Sequence, residues 1–175
     1  MVVSSGNDCQ ACVWDLRTKK LAKKLTFRDK SFRDMRGQAD PTNFTIRGCL
    51  FSVCGRYVYL LASKIRYKTF IVQYGADFQP VSVLDVHEHA STGLSINPMN
   101  GLLTVMTSDG WIKCVQNNKV VLSQKRHNLP VTCTAFLDES HIFTGSADYT
   151  YNMIKLPQSN LVGKSITNLI WILVI

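Results

Sequence analysis

The sequence predicts an all-β protein of short antiparallel strands, on three observations. First, one phrase recurs: an apolar run, small polar residues, an Asp, then a second apolar run. It covers residues 2–8 before 11–15, 103–109 before 111–115, and 142–148 before 151–156, with Asp8, Asp109 and Asp148 in the same place. Second, the recurrence has a period. Val83, Leu84 and His89 reappear as Val121, Leu122 and His127, 38 residues further on, and Thr107 and Asp109 reappear as Ser146 and Asp148, 39 further on. Third, turn-forming residues such as Gly55-Arg56, Pro98-Met99-Asn100-Gly101 and Asn117-Asn118 punctuate the apolar runs. Strand, Asp-containing turn, strand is the centre of a WD-repeat blade, and about 40 residues is the length of one four-stranded blade. The expected fold is therefore a partial WD-repeat β-propeller of about three and a half blades, followed by the start of a C-terminal transmembrane helix.

The strands follow in order. Residues 1–27 supply three strands (2–5, 11–16, 21–27) of a first blade whose innermost strand would precede Met1. A charged stretch with Gly37 and Pro41 separates it from the second blade, 43–87, with strands at 44–51, 57–62, 69–74 and 80–86. The third blade, 91–126, has strands at 93–97, 102–107, 111–116 and 119–123; the last, 130–156, has strands at 131–137, 142–146 and 151–156. Pro157 ends this propeller portion, 1–157, because it cannot donate to a ladder. Residues 158–165 read as a linker. Residues 166–175 are apolar on every face, which suits hydrocarbon better than a half-wet strand, so Leu169, Ile170, Trp171, Ile172, Leu173, Val174 and Ile175 are expected to begin a membrane anchor. The run falls short of the roughly 20 residues that a full span needs.

Composition narrows the classes. At 175 residues and 46% hydrophobic, the chain is globular but too short for a closed propeller of ordinary blade number. Six cysteines and a start, Met1-Val2-Val3-Ser4, with no basic leader region point to a reducing compartment. The net charge of +8 is concentrated between Arg17 and Arg36, where nine cationic residues face only Asp29 and Asp34. Such a strip can attract an anionic partner, but Lys also protects edge strands from pairing, and no aromatics are interleaved to stack bases. Nucleic acid therefore ranks well below a protein partner.

No glycine-rich phosphate loop and no Ser/His/Asp set with a nucleophile turn is present. Cys9-x-x-Cys12 lacks a second pair at zinc spacing, and His87-x-His89 lacks a third ligand. No catalytic, cofactor-binding or metal-binding residue is expected. Asp8 and Trp14 stand at WD-repeat spacing, where Asp, His, Ser/Thr and Trp form one hydrogen-bonded network. His89 with Asp109 and His127 with Asp148 are the expected remnants of that network in the later blades, serving buried polar groups rather than chemistry.

Residues 127–139, 142–148 and Ile154-Lys155-Leu156-Pro157, followed at once by an apolar segment, resemble the C-terminal end of one family. Phe70-Ile71-Val72-Gln73-Tyr74 beside Asp77-Phe78-Gln79-Pro80-Val81 fits the same order. The family is the endoplasmic-reticulum guanine-nucleotide-exchange factor of the COPII pathway, the prolactin-regulatory-element-binding protein family. The resemblance implies a propeller facing the cytosol, anchored in the endoplasmic-reticulum membrane, that activates the small GTPase initiating the COPII coat for transport to the Golgi. The family's exchange loop binds potassium and lies in an N-terminal blade not in this chain, so no catalytic residue or cofactor carries over. Two other classes compete: a non-catalytic WD-repeat scaffold, and a DNA-binding regulator using the basic strip.

Overall fold

The structure, a computed structural model, describes residues 1–26, 44–64 and 68–156. Every regular element among them is a β-strand. The strands are β1 (Val2–Ser5), β2 (Gln10–Asp15), β3 (Lys20–Thr26), β4 (Phe44–Phe51), β5 (Val58–Lys64), β6 (Lys68–Tyr74) and β7 (Pro80–His87). They continue as β8 (Ser91–Ile96), β9 (Leu103–Thr107), β10 (Trp111–Gln116), β11 (Lys119–Lys125), β12 (Val131–Phe136), β13 (His141–Ser146) and β14 (Tyr151–Lys155). They form four antiparallel sheets in sequence order: β1-β2-β3, β4-β5-β6-β7, β8-β9-β10-β11 and β12-β13-β14. The expected linker 158–165 and the anchor residues Leu169, Ile170, Trp171, Ile172, Leu173, Val174 and Ile175 lie outside the described residues, as does the basic strip from Arg28 to Arg36. No described helix is long and apolar enough to cross a membrane.

The core lies between the sheets. Ala11, Val13 and Leu25 of the first sheet pack with Val58, Leu60, Ala62 and Val72 of the second. Leu61, Ile71 and Val86 of the second sheet pack with Leu103, Val105 and Val115 of the third. Met106, Ile112 and Cys114 of the third pack with Val131, Ile142, Ile154 and Leu156, on or beside the fourth. Strand composition follows from this stacking. β9, covered on both faces, is buried at every position (Leu-Thr-Val-Met-Thr), whereas β14 alternates, with Ile154 inside and Tyr151 and Met153 outside.

Three of the hairpins are built on one plan. Ser5 pairs with Ala11, Met106 with Ile112 and Gly145 with Tyr151, each pair closing a turn of the same length. In each turn the Asp is followed by a residue in the left-handed region: Cys9 at φ 61°, Gly110 at 87° and Tyr149 at 63°. Glycine is required at 110 for a second reason, because a Cβ there would fall on the His127 carbonyl. First strands of successive sheets lie side by side. Ser95 and Thr134 hydroxyls meet at 2.8 Å, and Asn97 Nδ2 donates to the Asp138 carbonyl at 3.1 Å.

Candidate functional site

At one end of the stack, the turn between the second and third strands of a sheet meets the connection leading into that sheet. Ser108 N–H donates to the Ala90 carbonyl at 2.9 Å, and the equivalent Ala147 N–H donates to the Pro130 carbonyl at 3.0 Å. A histidine completes each junction, His87 from the end of β7 and His127 from the connection after β11.

His127, fully enclosed, bridges the β13–β14 turn. Its Nδ1 is 3.3 Å from Asp148 Oδ1 and 2.9 Å from Thr150 Oγ1; its Nε2 is 2.9 Å from Thr144 Oγ1. Thr150 gives its proton to Asp148 Oδ1 at 2.6 Å, so the Thr150 oxygen accepts from His127 Nδ1–H and Nε2 accepts from Thr144. Asp148 also accepts from the Asn128 and Thr150 backbone N–H groups, at 2.8 and 3.0 Å. The Thr150 hydroxyl, followed by these backbone donors, holds the Asp148 carboxyl well below its ordinary value against the opposing effect of desolvation.

The β9–β10 turn has a shorter version. Burial pushes the Asp109 carboxyl up, but hydrogen bonds from Thr107 (2.6 Å) and His87 outweigh it and leave it lowered. His87 Nε2 lies 2.9 and 3.1 Å from the two Asp109 oxygens, which requires the Nε2–H tautomer because an ionised carboxylate only accepts. The sequence pointed to His89 as the partner of Asp109. The structure assigns that place to His87, the last residue of β7, while His89 stays 60% exposed with its Nε2 3.8 Å from Asp109. A two-residue spacing puts both imidazoles on one side, and the chain's path out of β7, not the motif, decides which is enclosed.

In the first sheet the two expected residues are not joined directly. Asp8 caps its own turn, accepting from Gln10 N–H at 3.3 Å, and Trp14 Nε1 donates to Ser4 Oγ at 2.9 Å. Ser4 occupies the position that Thr144 holds in the fourth sheet. Where the second sheet meets the third, three buried hydroxyls replace the Asp network: Ser63 Oγ meets Thr69 Oγ1 at 3.1 Å and Ser91 Oγ of β8 at 2.7 Å. Sequence reasoning marked Thr107 as a repeat position without giving it a role in the network, and missed Thr144 and Thr150; each of the three lies within four residues of a turn Asp.

The opposite end carries a smaller cluster. Asp138 accepts from Ser140 N–H at 2.6 Å and pairs with His141 Nδ1 at 3.0 Å; the Ser140 backbone leads in drawing its carboxyl down to about 2. Among the described residues, no group of three or more His, Cys, Asp or Glu is placed to hold a metal ion. None of the six cysteines, all described, is in a disulfide, and burial raises the Cys114 thiol to about 11, keeping it protonated. Arg17, Lys19, Lys20, Lys23 and Lys24, the described part of the basic strip, are exposed on and beside the edge strand β3.

The chain is thus an all-β protein whose sheets are joined by enclosed His–Asp and hydroxyl networks. Among solved structures it is similar to the computationally designed Ika4 protein, with a TM-score of 0.66 over 89% of this chain and 84% of that one, at 20% identity. That likeness concerns the fold. No protein-family model and no curated protein matches the chain.

Proposed function

We propose that the four sheets are successive blades of a WD-repeat β-propeller, and that the chain is the C-terminal portion of a guanine-nucleotide-exchange factor of the endoplasmic-reticulum COPII family. The observation that carries the propeller reading is the repeated junction: a turn Asp met by a histidine at or just past the end of the preceding sheet, in the third and fourth sheets alike. The exchange-factor reading rests on the resemblance of residues 127–157 and of the apolar segment that follows. In this reading the propeller faces the cytosol, residues from about 166 enter the endoplasmic-reticulum membrane, and the partner is the small GTPase that initiates the COPII coat. The described His–Asp and hydroxyl networks are internally paired, which supports a part in presenting a surface to the partner.

Nucleotide release from that GTPase tests the proposal. The full-length protein is expected to accelerate GDP release, and residues 1–156 are not, because the family's exchange loop lies in another blade. A full-length protein without effect on release leaves the second reading, a non-catalytic WD-repeat scaffold. For the anchor, a chain carrying the natural sequence past Ile175 should resist alkaline carbonate extraction from membranes; release into the soluble fraction would remove the anchor.

A further inference from the structure

Asn100-Gly101 is the one Asn-Gly step in the sequence, and it lies in the β8–β9 turn, at the end of the stack opposite the Asp turns. An Asn followed by Gly is the pairing most open to deamidation, because no Cβ on the next residue hinders its amide nitrogen from reaching the Asn side-chain carbon. The fold engages every group that this reaction needs. Gly101 N–H, the nucleophile, donates to the Asn97 carbonyl at 2.8 Å. Asn100 Oδ1 accepts from Leu102 N–H at 3.0 Å, and its Nδ2 donates at 3.1 Å to the Glu139 carbonyl, in the β12–β13 turn of the fourth sheet. Leu102 N–H can only donate and the Glu139 carbonyl can only accept, which fixes the orientation of the carboxamide. Asn97, fully buried, makes a parallel bridge from its Nδ2 to the Asp138 carbonyl. Two asparagines of one turn thus tie the third sheet to the fourth, and the reactive one is half of the tie.

We propose that Asn100 is a deamidation site controlled by this junction: it stays an amide while the two sheets are joined, is converted when the turn opens, and its product keeps the junction from closing again. In the open turn the Gly101 nitrogen, losing its proton to a solvent base, attacks Asn100 Cγ. The new C–N bond closes a succinimide ring, the Cγ–Nδ2 bond breaks, and the side-chain nitrogen leaves with a solvent proton as ammonia. Water then opens the ring at either carbonyl, giving aspartate or isoaspartate. In the closed turn the nucleophile is committed to the Asn97 carbonyl and the carboxamide is held at both ends, so neither turns toward the other. Conversion replaces the Nδ2 donor by a carboxylate oxygen, which meets the Glu139 carbonyl acceptor to acceptor and adds a negative charge beside Asp138 and Glu139. The inference does not depend on the exchange-factor reading, since it uses only this turn and its contact with the fourth sheet.

Peptide mapping by mass spectrometry tests it. The 175-residue chain is held in mildly alkaline buffer, either folded or unfolded in urea, and the mass gain of amide-to-acid exchange is followed at Asn100. Conversion should be at least about tenfold slower in the folded chain, because the reaction then waits on opening of the turn. Equal rates in the two states overturn the proposal. Asn100→Asp, made directly, tests the effect of the product. Its unfolding equilibrium constant in a urea titration should rise by about tenfold, since an acceptor replaces the donor against the Glu139 carbonyl. Asn100→Ser, which removes the bridge without adding charge, should fall between the parent and the acid variant, and it carries the comparison if the acid variant does not fold. Either variant proving as stable as the parent would show that the junction does not depend on this amide, and would overturn the proposal.

Discussion

Asp148 shows how one carboxylate can order a junction. It accepts from two backbone N–H groups and from Thr150, while His127 spans from Thr150 to Thr144. Replacing His127 by Leu keeps the volume but removes the ring's hydrogen bonds to the Thr144 and Thr150 hydroxyls; a lost buried hydrogen bond costs about 1–3 kcal/mol, which urea unfolding would register. Asp148 and Asp138 both have folded values below the unfolded carboxyl at about 4. Their contribution is therefore fully present above about pH 4 and is lost as pH falls toward and through the folded values. Asp148→Asn should lower the thermal midpoint at pH 6, yet narrow the further drop between pH 4 and pH 2; an unchanged drop would mean that Asp148 carries none of the acid sensitivity. Gly110→Ala should destabilise more than either, combining a φ of 87° with a Cβ against the His127 carbonyl. The φ strain alone is about 1–2 kcal/mol, and the backbone contact adds to it.

At the scale of elements, strand composition reports how many faces are covered. β9 lies in a sheet stacked on both sides, and truncating a residue inside that stack leaves a cavity that its neighbours cannot close. Ile112→Ala on β10 should cost about 2–5 kcal/mol, against less than about 1 kcal/mol for Val121→Ala on the exposed outer strand β11. Hydrogen exchange should rank the elements in the same way. Amides of β5, β6, β9 and β10 should be the slowest, and those of β3 and β14, at sheet edges, the fastest. The strand positions were readable within one or two residues. Alternating or continuous apolar runs between Gly, Pro and Asn turns leave little freedom in placing a strand, and the observed β10 (Trp111–Gln116) has the predicted bounds.

For the molecule as a whole, three buried clusters tie each sheet to the next. Urea unfolding should therefore give one transition, coincident by far-UV circular dichroism and by tryptophan fluorescence; two separated transitions would mean that the sheets unfold independently.

The sequence by itself determined the all-β class, the order of the strands and the recurrence of the Asp turn. Each of these is local: two-residue alternation, turn chemistry and a repeat period are properties of neighbouring residues. The pairing of His127 with Asp148 was also readable, since the distance from connection to turn is set by strand length. The choice of His87 over His89 belonged to the tertiary structure alone, because it depends on where β7 stops and how the next sheet approaches. So did the burial of Ile154 beside the exposure of Trp14 at the equivalent position. The residues differ little in what they prefer; what differs is whether another sheet lies over them.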